Sequence, residues 1–387
     1  MRLGDTEKMV AGTLGVIQML PELKAGGVER GTLELSRFLV RHGHRSLVIS
    51  QGGPMVDQLL KDGGRHIRMS YIGEKSPRCL LHLWTLRRLF KEKAIDIVHL
   101  RSRLPAWMGY LAWRSLPVGR RPGLVTTFHG FYSVNAYSAI MTKGEKVIAI
   151  SKAVSDHIRR CYHIPVSRIS LIYRGIDPET FHPSNVSRER IIRLKKKWGL
   201  EERLPLVMLP GRVTPLKGHD IFMAALAQIK DLPWRAVCVG IFDSQSAHFR
   251  RLRRLIDELG LSNRVQFTGH EVDMPAAYAA ADLVVSSTTD KPEAFGRVAI
   301  EAQAMGRPVI ASAHGGSLET VIHGQTGWLF APGETGELAA FMRKALLRRE
   351  LCQQYAANGF RRVHQHFTTQ KMCRKTLDLY RELLNLP

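Results

Sequence analysis

Short apolar segments alternate with amphipathic stretches along the first half of the chain. The apolar segments cover residues 14–20, 45–50, 96–100, 123–128 and 146–151. Between the first two lies a stretch from Gly31 to His42 in which apolar side chains recur at helical spacing. Because parallel strands need long crossover connections, this alternation is typical of a doubly wound parallel sheet. The pattern predicts an α/β, Rossmann-like domain over residues 1–183.

The same alternation begins again after a polar and basic stretch at residues 184–200, which we interpret as an interdomain linker. Further apolar segments follow at residues 204–210, 235–240, 264–269, 282–287 and 307–313. A second Rossmann-like domain is therefore expected over residues 201–367. A last helical segment follows at residues 368–387.

The segment from Lys291 to Ala302 carries the most informative chemistry. Glu293 and Glu301 bracket Phe295 and Gly296, and an apolar strand pattern precedes them. Loops at the carboxyl ends of strands are where open α/β sheets bind ligands. The following helix N-terminus favours phosphate, and carboxylates accept hydrogen bonds from sugar hydroxyls. Together these features predict a nucleotide-sugar site, although two surface acids beside a buried helix would give the same spacing.

A second candidate site follows the strand that ends at Pro210. Gly211 provides a turn, and Arg212 and Lys217 stand five positions apart before a helix. Two cations at one crevice can neutralise a diphosphate as it leaves. The competing interpretation is a solvated basic loop.

Three further segments occupy strand ends. Gly26 and Gly27 follow the first strand, where backbone could approach a ligand closely, and His129 follows the strand at 123–128. Thr268-Gly269-His270 ends a strand of the second half. Glycine pairs and single histidines at such places are often structural. A Gly-x-Gly-x-x-Gly pattern is absent after the first strand, which weighs against a nicotinamide enzyme.

These motifs resemble those of retaining, GT-B-type glycosyltransferases, in particular glycosyltransferase family 4, the group 1 glycosyl transferases. The resemblance rests on Glu-x7-Glu in a Pro-Glu-x-Phe-Gly context and on Gly-Arg-x4-Lys-Gly, and it extends from about Gly15 to Phe367. It implies the GT-B fold, with the segment 368–387 packed on the first, acceptor-side domain. The implied activity moves a hexose-type sugar from a nucleotide diphosphate sugar, UDP-linked, to a hydroxyl of a glycan or lipid-linked acceptor.

The resemblance also implies roles for individual residues. His129, Glu293, Arg212 and Lys217 are the implied catalytic residues, with His129 at the transferred sugar and the two cations on the leaving diphosphate. The implied donor-binding residues are Gly26, Gly27, Gly211, Thr268, Gly269, His270, Phe295, Gly296, Arg297, Val298 and Glu301. We expect no metal and no cofactor, because the sequence holds no Asp-x-Asp. The chain departs from the family pattern at Arg174 and at Ile241-Phe242-Asp243.

The net charge of +23 favours an anionic partner, and residues 1–180 carry 28 Lys and Arg against 14 Asp and Glu. We expect a cytoplasmic protein, because the five cysteines are unpatterned and the first residues lack an apolar signal region. The inner face of the cell membrane and a lipid-linked acceptor of lipopolysaccharide or other surface glycan synthesis fit this charge. The basic segment Arg101-Ser102-Arg103 could hold an anionic acceptor or be a solvated loop.

Two alternatives remain open from the sequence. A GT-B-type sugar-nucleotide epimerase or hydrolase would use the donor residues without an acceptor. A basic nucleic-acid-binding protein would use the charge, but the chain lacks a helix-turn-helix, zinc or single-strand stacking module, so we expect no specific nucleic-acid partner.

Overall fold

The computed structural model describes residues 12–24, 26–92, 95–200, 204–289 and 291–386. The contacts within the chain group it into two compact units. The first unit consists of Met1–Ile172 with Met372–Pro387, and the second of Tyr173–Lys371. The domain boundaries after residues 183, 200 and 367 remain sequence predictions.

The first unit is built on a sheet of seven parallel strands in the order β3-β2-β1-β4-β5-β6-β7. The strands are β1 (Gly15–Met19), β2 (Arg45–Ser50), β3 (Arg65–Arg68), β4 (Ile97–Leu100), β5 (Gly123–Phe128), β6 (Lys146–Ala149) and β7 (Ile169–Leu171). Its first five helices are α1 (Gly27–Arg41), α2 (Val56–Lys61), α3 (Leu83–Phe90), α4 (Arg103–Arg114) and α5 (Lys152–Tyr162). The strand order reverses between β1 and β4, so the crevice that suits a ligand lies at their carboxyl ends.

The second unit contains six parallel strands in the order β10-β9-β8-β11-β12-β13. The strands are β8 (Leu206–Pro210), β9 (Arg235–Val239), β10 (Val265–Gly269), β11 (Leu283–Ser286), β12 (Val309–Ser312) and β13 (Trp328–Phe330). The helices are α6 (Arg188–Lys197), α7 (His219–Ala227), α8 (Ala247–Glu258), α9 (Met274–Ala280), α10 (Arg297–Ala304), α11 (Ser317–Thr320), α12 (Thr335–Leu347) and α13 (Arg349–His366). Here the strand order reverses between β8 and β11.

Central strands of both sheets are buried along their whole length, as expected where helices cover both faces. The predicted α/β architecture with two doubly wound sheets is therefore confirmed. None of the helices in the described parts of the chain is long and apolar enough to cross a membrane.

The last helix, α14 (Thr369–Leu383), packs on the sheet of the first unit. Its buried residues Met372, Cys373, Leu377 and Tyr380 share one apolar core with side chains of β1, β4, β5, β6 and α1. Tyr380 also forms a hydrogen bond with His99 of β4, at 2.6 Å between Oη and Nδ1. Packing of the C-terminal helix on the first unit is thus as predicted.

The stretch that the sequence predicts as a linker contains helix α6, which groups with the second unit. Ser187 caps this helix, because its hydroxyl accepts a hydrogen bond from the backbone N–H of Arg190. Arg190 pairs with Asp273 at 2.6 Å, and Lys197 pairs with Glu271 at 2.8 Å. Residues 188–197 are therefore ordered against α9 and the loop before it.

Candidate functional site

Two loops meet where the strand order of the second sheet reverses. One loop follows β8 and carries Lys217, and the other follows β11 and carries Glu293. Lys217 Nζ lies 2.8 Å from Glu293 Oε2, with side-chain exposures of 29% and 21%. The two residues that the sequence assigned to one crevice from separate motifs are therefore in direct contact.

Gly218 fixes the position of the Lys217 loop. Its φ of +62° lies in the left-handed region, and a Cβ at this position would stand 1.7 Å from the carbonyl oxygen of Ser287. Ser287 Oγ in turn donates hydrogen bonds to the carbonyls of Gly218, at 2.9 Å, and Lys217, at 3.2 Å. Only glycine allows the two loops to approach this closely.

The other half of the ion pair is held through the backbone of Glu293. The Glu293 carbonyl accepts a hydrogen bond of 2.7 Å from the N–H of Gly316. A Cβ on Gly315 would stand 2.3 Å from the same carbonyl oxygen, and Gly315 has a φ of +58°. The glycine pair after β12 is therefore a structural support for the backbone of Glu293.

Glu301 lies in the second turn of α10 and is 8% exposed. Tyr278 Oη donates a hydrogen bond of 2.9 Å to Oε2, and Arg297 Nε donates one of 3.0 Å to Oε1. Both carboxylate oxygens therefore have a partner within the unit. Sequence analysis missed Tyr278, whose only signal is a hydroxyl-bearing side chain within the alanine-rich helix α9.

The residues between the two acids form the start of α10. Gly296 precedes this helix with a φ of +89°, and Phe295 is buried with its ring centroid 5.8 Å from that of Phe367. Val298 is half-buried in the first turn. Phe295 is therefore an apolar anchor for the turn that separates Glu293 from Glu301.

The remaining predicted residues of the second unit follow β8 and β10 at the same carboxyl edge. Arg212 is exposed, and Gly211 turns the chain beside Lys217 with a φ of +142°. Thr268, Gly269 and His270 end β10, which is two strands away from β8, or about 10 Å along the same sheet edge. The structure therefore brings Lys217 and Glu293 together and spreads the other predicted residues along the carboxyl edge.

Gly26, Gly27 and His129 belong to the first unit. Gly26 precedes α1 and Gly27 begins it, and a Cβ on Gly26 would stand 2.3 Å from Glu29 Oε2. The carboxylate of Glu29 thus already covers the N-terminus of α1. His129 follows β5, and its backbone N–H donates a long hydrogen bond of 3.5 Å to Tyr132 Oη.

One buried histidine adjoins the Lys217 loop. His219 begins α7 with no exposed surface, and both ring nitrogens lack a hydrogen-bond partner. Burial, with further contributions from His248 and Lys217, lowers the pKa of His219 to about 4. Its imidazole is therefore neutral at pH 7 and adds no charge to the site.

Two family models match this chain, one in each half. Residues 25–180 match the family model described as Glycosyltransferase Family 4, and residues 191–362 match the model described as Glycosyl transferases group 1. The chain is 33% identical over 281 residues to a D-inositol 3-phosphate glycosyltransferase of Mycobacterium sp. (strain JLS). That match covers 68% of this chain and 61% of the relative, so the chain spans less than two thirds of the relative's length.

Two solved structures are similar over nearly the whole chain. The crystal structure of a glycosyltransferase from Rickettsia africae ESF-5 superposes with a TM-score of 0.88 at 33% identity, covering 96% of this chain and 99% of that one. The crystal structure of Anabaena Alr3699/HepE in complex with UDP-glucose superposes with a TM-score of 0.82 at 25% identity, covering 95% of this chain and 100% of the other.

Proposed function

This chain belongs to glycosyltransferase family 4, the group 1 glycosyl transferases, and from that membership we propose that it is a retaining glycosyltransferase. It moves a hexose-type sugar from a nucleotide diphosphate sugar to a hydroxyl of a glycan or lipid-linked acceptor. The observation that carries the proposal is the contact between Lys217 and Glu293 where the strand order of the second sheet reverses.

The donor residues suit three parts of a nucleotide diphosphate sugar. Lys217 and the exposed Arg212 are cations for the diphosphate, and Glu293 is an acceptor for sugar hydroxyls. Glu301 is assigned to the ribose diol, because a carboxylate can accept about four hydrogen bonds. Within the unit, Tyr278 contacts its Oε2, and the guanidinium of Arg297 contacts its Oε1 through Nε and Nη2. The UDP-glucose complex of Alr3699/HepE supports UDP as the nucleotide.

The transfer itself follows from these charges. The bond between the anomeric carbon and the diphosphate oxygen breaks, and its electron pair leaves with the diphosphate, which Arg212 and Lys217 stabilise. The acceptor hydroxyl forms the new bond on the same face, and its proton passes to a diphosphate oxygen. His129 is assigned to the transferred sugar, where its ring or its carbonyl stabilises developing positive charge. This scheme uses no metal ion.

The setting we favour is the cytoplasmic face of an anionic membrane, in the synthesis of lipopolysaccharide or another surface glycan. On the first unit, Leu81 and Trp84 are 75% and 76% exposed at the start of α3. The guanidinium of Arg87 lies 5.6 Å from the centre of the Trp84 ring. An exposed tryptophan and leucine beside arginines match the composition of surfaces that bind anionic lipid.

Thermal unfolding against a panel of nucleotides and nucleotide sugars, without added metal, tests the donor site. Ligands that bind the native state raise the unfolding midpoint with the logarithm of their concentration. We expect a rise with UDP and with one or more UDP-sugars, lost in Lys217→Met and retained in Lys344→Met, which removes an exposed lysine of α12. No rise with any nucleotide would contradict the proposal.

The same protein then distinguishes transfer from hydrolysis or epimerisation. The protein is incubated with the donor that binds, with and without acceptor extracts. UDP release should depend on the acceptor, and NMR should show that the product keeps the anomeric configuration of the donor sugar. Equal UDP release without acceptor would favour the hydrolase alternative.

A further inference from the structure

We infer that the first unit binds an oxyanion, a phosphate or a carboxylate of the acceptor, through Arg101 and Arg103. This inference rests on the proposed function for the identity of the ligand as an acceptor. Both arginines lie at the carboxyl end of β4, beside β1, where the strand order of the first sheet reverses. Ligands of open α/β sheets bind at such a place.

Arg101 is a buried cation without an acidic partner. Its side chain is enclosed, with 4% of the residue exposed, and Nη1 donates a hydrogen bond of 3.0 Å to the neutral Oε1 of Gln18. Nε has no hydrogen-bond partner. Among the residues that the structure describes, no carboxylate lies within ion-pair distance of Arg101, although Glu34 of α1 is near enough to act on it electrostatically.

A buried guanidinium with these partners is costly for the fold, because its lost hydration is offset by one hydrogen bond to a neutral amide and by the more distant charge of Glu34. Burial lowers the pKa of Arg101, because the charged guanidinium is less favourable in the interior than in water. An incoming oxyanion would supply the missing counter-charge. The arrangement is therefore better explained by a ligand than by a contribution to stability.

Arg103 is held in a fixed orientation next to this position. It begins α4, and its guanidinium lies 4.9 Å from the centre of the Tyr132 ring and 5.3 Å from that of Tyr137. Nη1 donates a hydrogen bond of 3.2 Å to Ser138 Oγ. All these partners are neutral, so within the described part of the chain the positive charge of Arg103 is oriented but has no acidic partner.

Two further features favour an anion here. Ser102 precedes the twelve-residue helix α4 without a side-chain capping bond, so its hydroxyl does not cap the N–H groups of Arg103 and Leu104, while Pro105 has no N–H. Tyr132 is electrostatically coupled to both arginines and accepts the hydrogen bond from the backbone N–H of His129. The arginines therefore border the loop that carries the proposed catalytic histidine.

Calorimetric titration of the full chain, saturated with UDP to occupy the donor residues, tests the inference. The probes are glucose 6-phosphate, glucuronate and neutral glucose, which separate a phosphate from a carboxylate and both from the sugar alone. We expect at least one anionic sugar to bind and glucose not to bind. Arg103→Gln should weaken that binding about tenfold or more, the scale of a lost charge-assisted pair.

Arg114→Gln is the matched control, because Arg114 is an exposed arginine at the opposite end of α4, about 16 Å along the helix. It should change the affinity for the anionic sugar less than twofold. Arg101→Met should lose the anion binding without a large fall in the unfolding midpoint. A large fall in the midpoint with unchanged anion affinity would mean that Arg101 is structural.

If the parent protein and Arg103→Gln bind the anionic sugar with equal affinity, the binding reflects non-specific attraction of an anion to a basic protein, and the inference is overturned. Binding of UDP with no binding of either anionic sugar would also overturn it while leaving the proposed function intact. A chain that binds neither UDP nor the sugars would contradict the proposed function itself.

Discussion

The carboxyl edges of the two sheets hold charge in opposite ways. In the second unit, Lys217 contacts Glu293, and Arg297 contacts Glu301, so each of these cations has an acid within 3 Å. In the first unit, the hydrogen-bond and ring partners of Arg101 and Arg103 among the described residues are neutral. Two cations of the second edge are thus neutralised within the protein, while Arg212 there stays exposed. The two arginines of the first edge retain positive charge that a ligand could neutralise.

This difference has a physical consequence for how each edge recognises a ligand. The paired edge can present both cations and acceptors, which suits a donor with a diphosphate and several hydroxyls. The unpaired edge presents the guanidinium donors of Arg101 and Arg103, which suit an oxyanion.

The largest effect is expected from the glycine that holds the paired edge together. Gly218→Val places a branched side chain against the carbonyl of Ser287 at a φ of +62°, and it should cost about 3 kcal/mol or more of unfolding free energy. Urea unfolding measures this. Gly336→Ala, in helix α12, would bring its Cβ no closer than an ordinary contact of 3.9 Å with Gln228 Oε1, and it should be neutral or slightly stabilising. Equal, small effects of both changes would mean that the loops adjust freely.

Glu293→Gln tests the acid of the ion pair. We expect kcat to fall about 100-fold or more, since the carboxylate that orients the sugar is lost, while UDP affinity changes only a few-fold. Steady-state kinetics with the donor found by thermal unfolding, together with UDP titration, separates the two effects. An unchanged kcat would show that the carboxylate of Glu293 is not needed for the reaction.

Arg297→Met and Arg101→Met compare the two edges directly. The first leaves the nearly buried carboxylate of Glu301 without its cation and should cost about 2 kcal/mol of unfolding free energy. The second removes an unpaired buried cation and should change stability by about 1 kcal/mol or less, since the lost bond to Gln18 and the relieved burial of charge oppose each other. Equal losses of unfolding free energy in the two variants would contradict the difference between a paired and an unpaired edge.

A pH dependence of the unfolding free energy is expected at the paired edge. His219 has a folded-state pKa of about 4, below the ordinary 6.5, so the unfolded chain binds a proton first as the pH falls. This term is fully favourable above pH 6.5 and is lost between pH 6.5 and 4, by about 2 kcal/mol from pH 7 to pH 5. The difference in unfolding free energy between the parent and His219→Phe should follow that curve. A difference independent of pH would mean that His219 is not buried as neutral imidazole.

The sequence predicted the fold well because the apolar strand pattern and the turn residues are local signals. Two parallel sheets and the packing of α14 follow from it and from the family resemblance. The strand-end loops with Lys217 and Glu293 were also identifiable, since parallel strands carry their carboxyl ends to one edge. The assignment of individual site residues to catalysis and donor binding remains a prediction.

Other features depend on contacts between distant residues and left little local signal. Tyr278 reaches Glu301 from 23 positions away, and Arg101 is buried beside Gln18, 83 positions earlier in the chain. A basic Arg-Ser-Arg segment gives no sign in the sequence that its first arginine is enclosed. The position of the Glu29 carboxylate at the N-terminus of α1 likewise depends on a side-chain conformation.

Hydrogen–deuterium exchange of the full chain, with and without saturating UDP, tests most directly whether the donor nucleotide binds at the edge of the second sheet and not at that of the first. The account predicts that UDP slows exchange in peptides covering residues 211–218 and 293–301 and leaves the peptide covering residues 101–114 unchanged. Protection confined to peptides of the first unit, with none around Lys217 and Glu293, would contradict it.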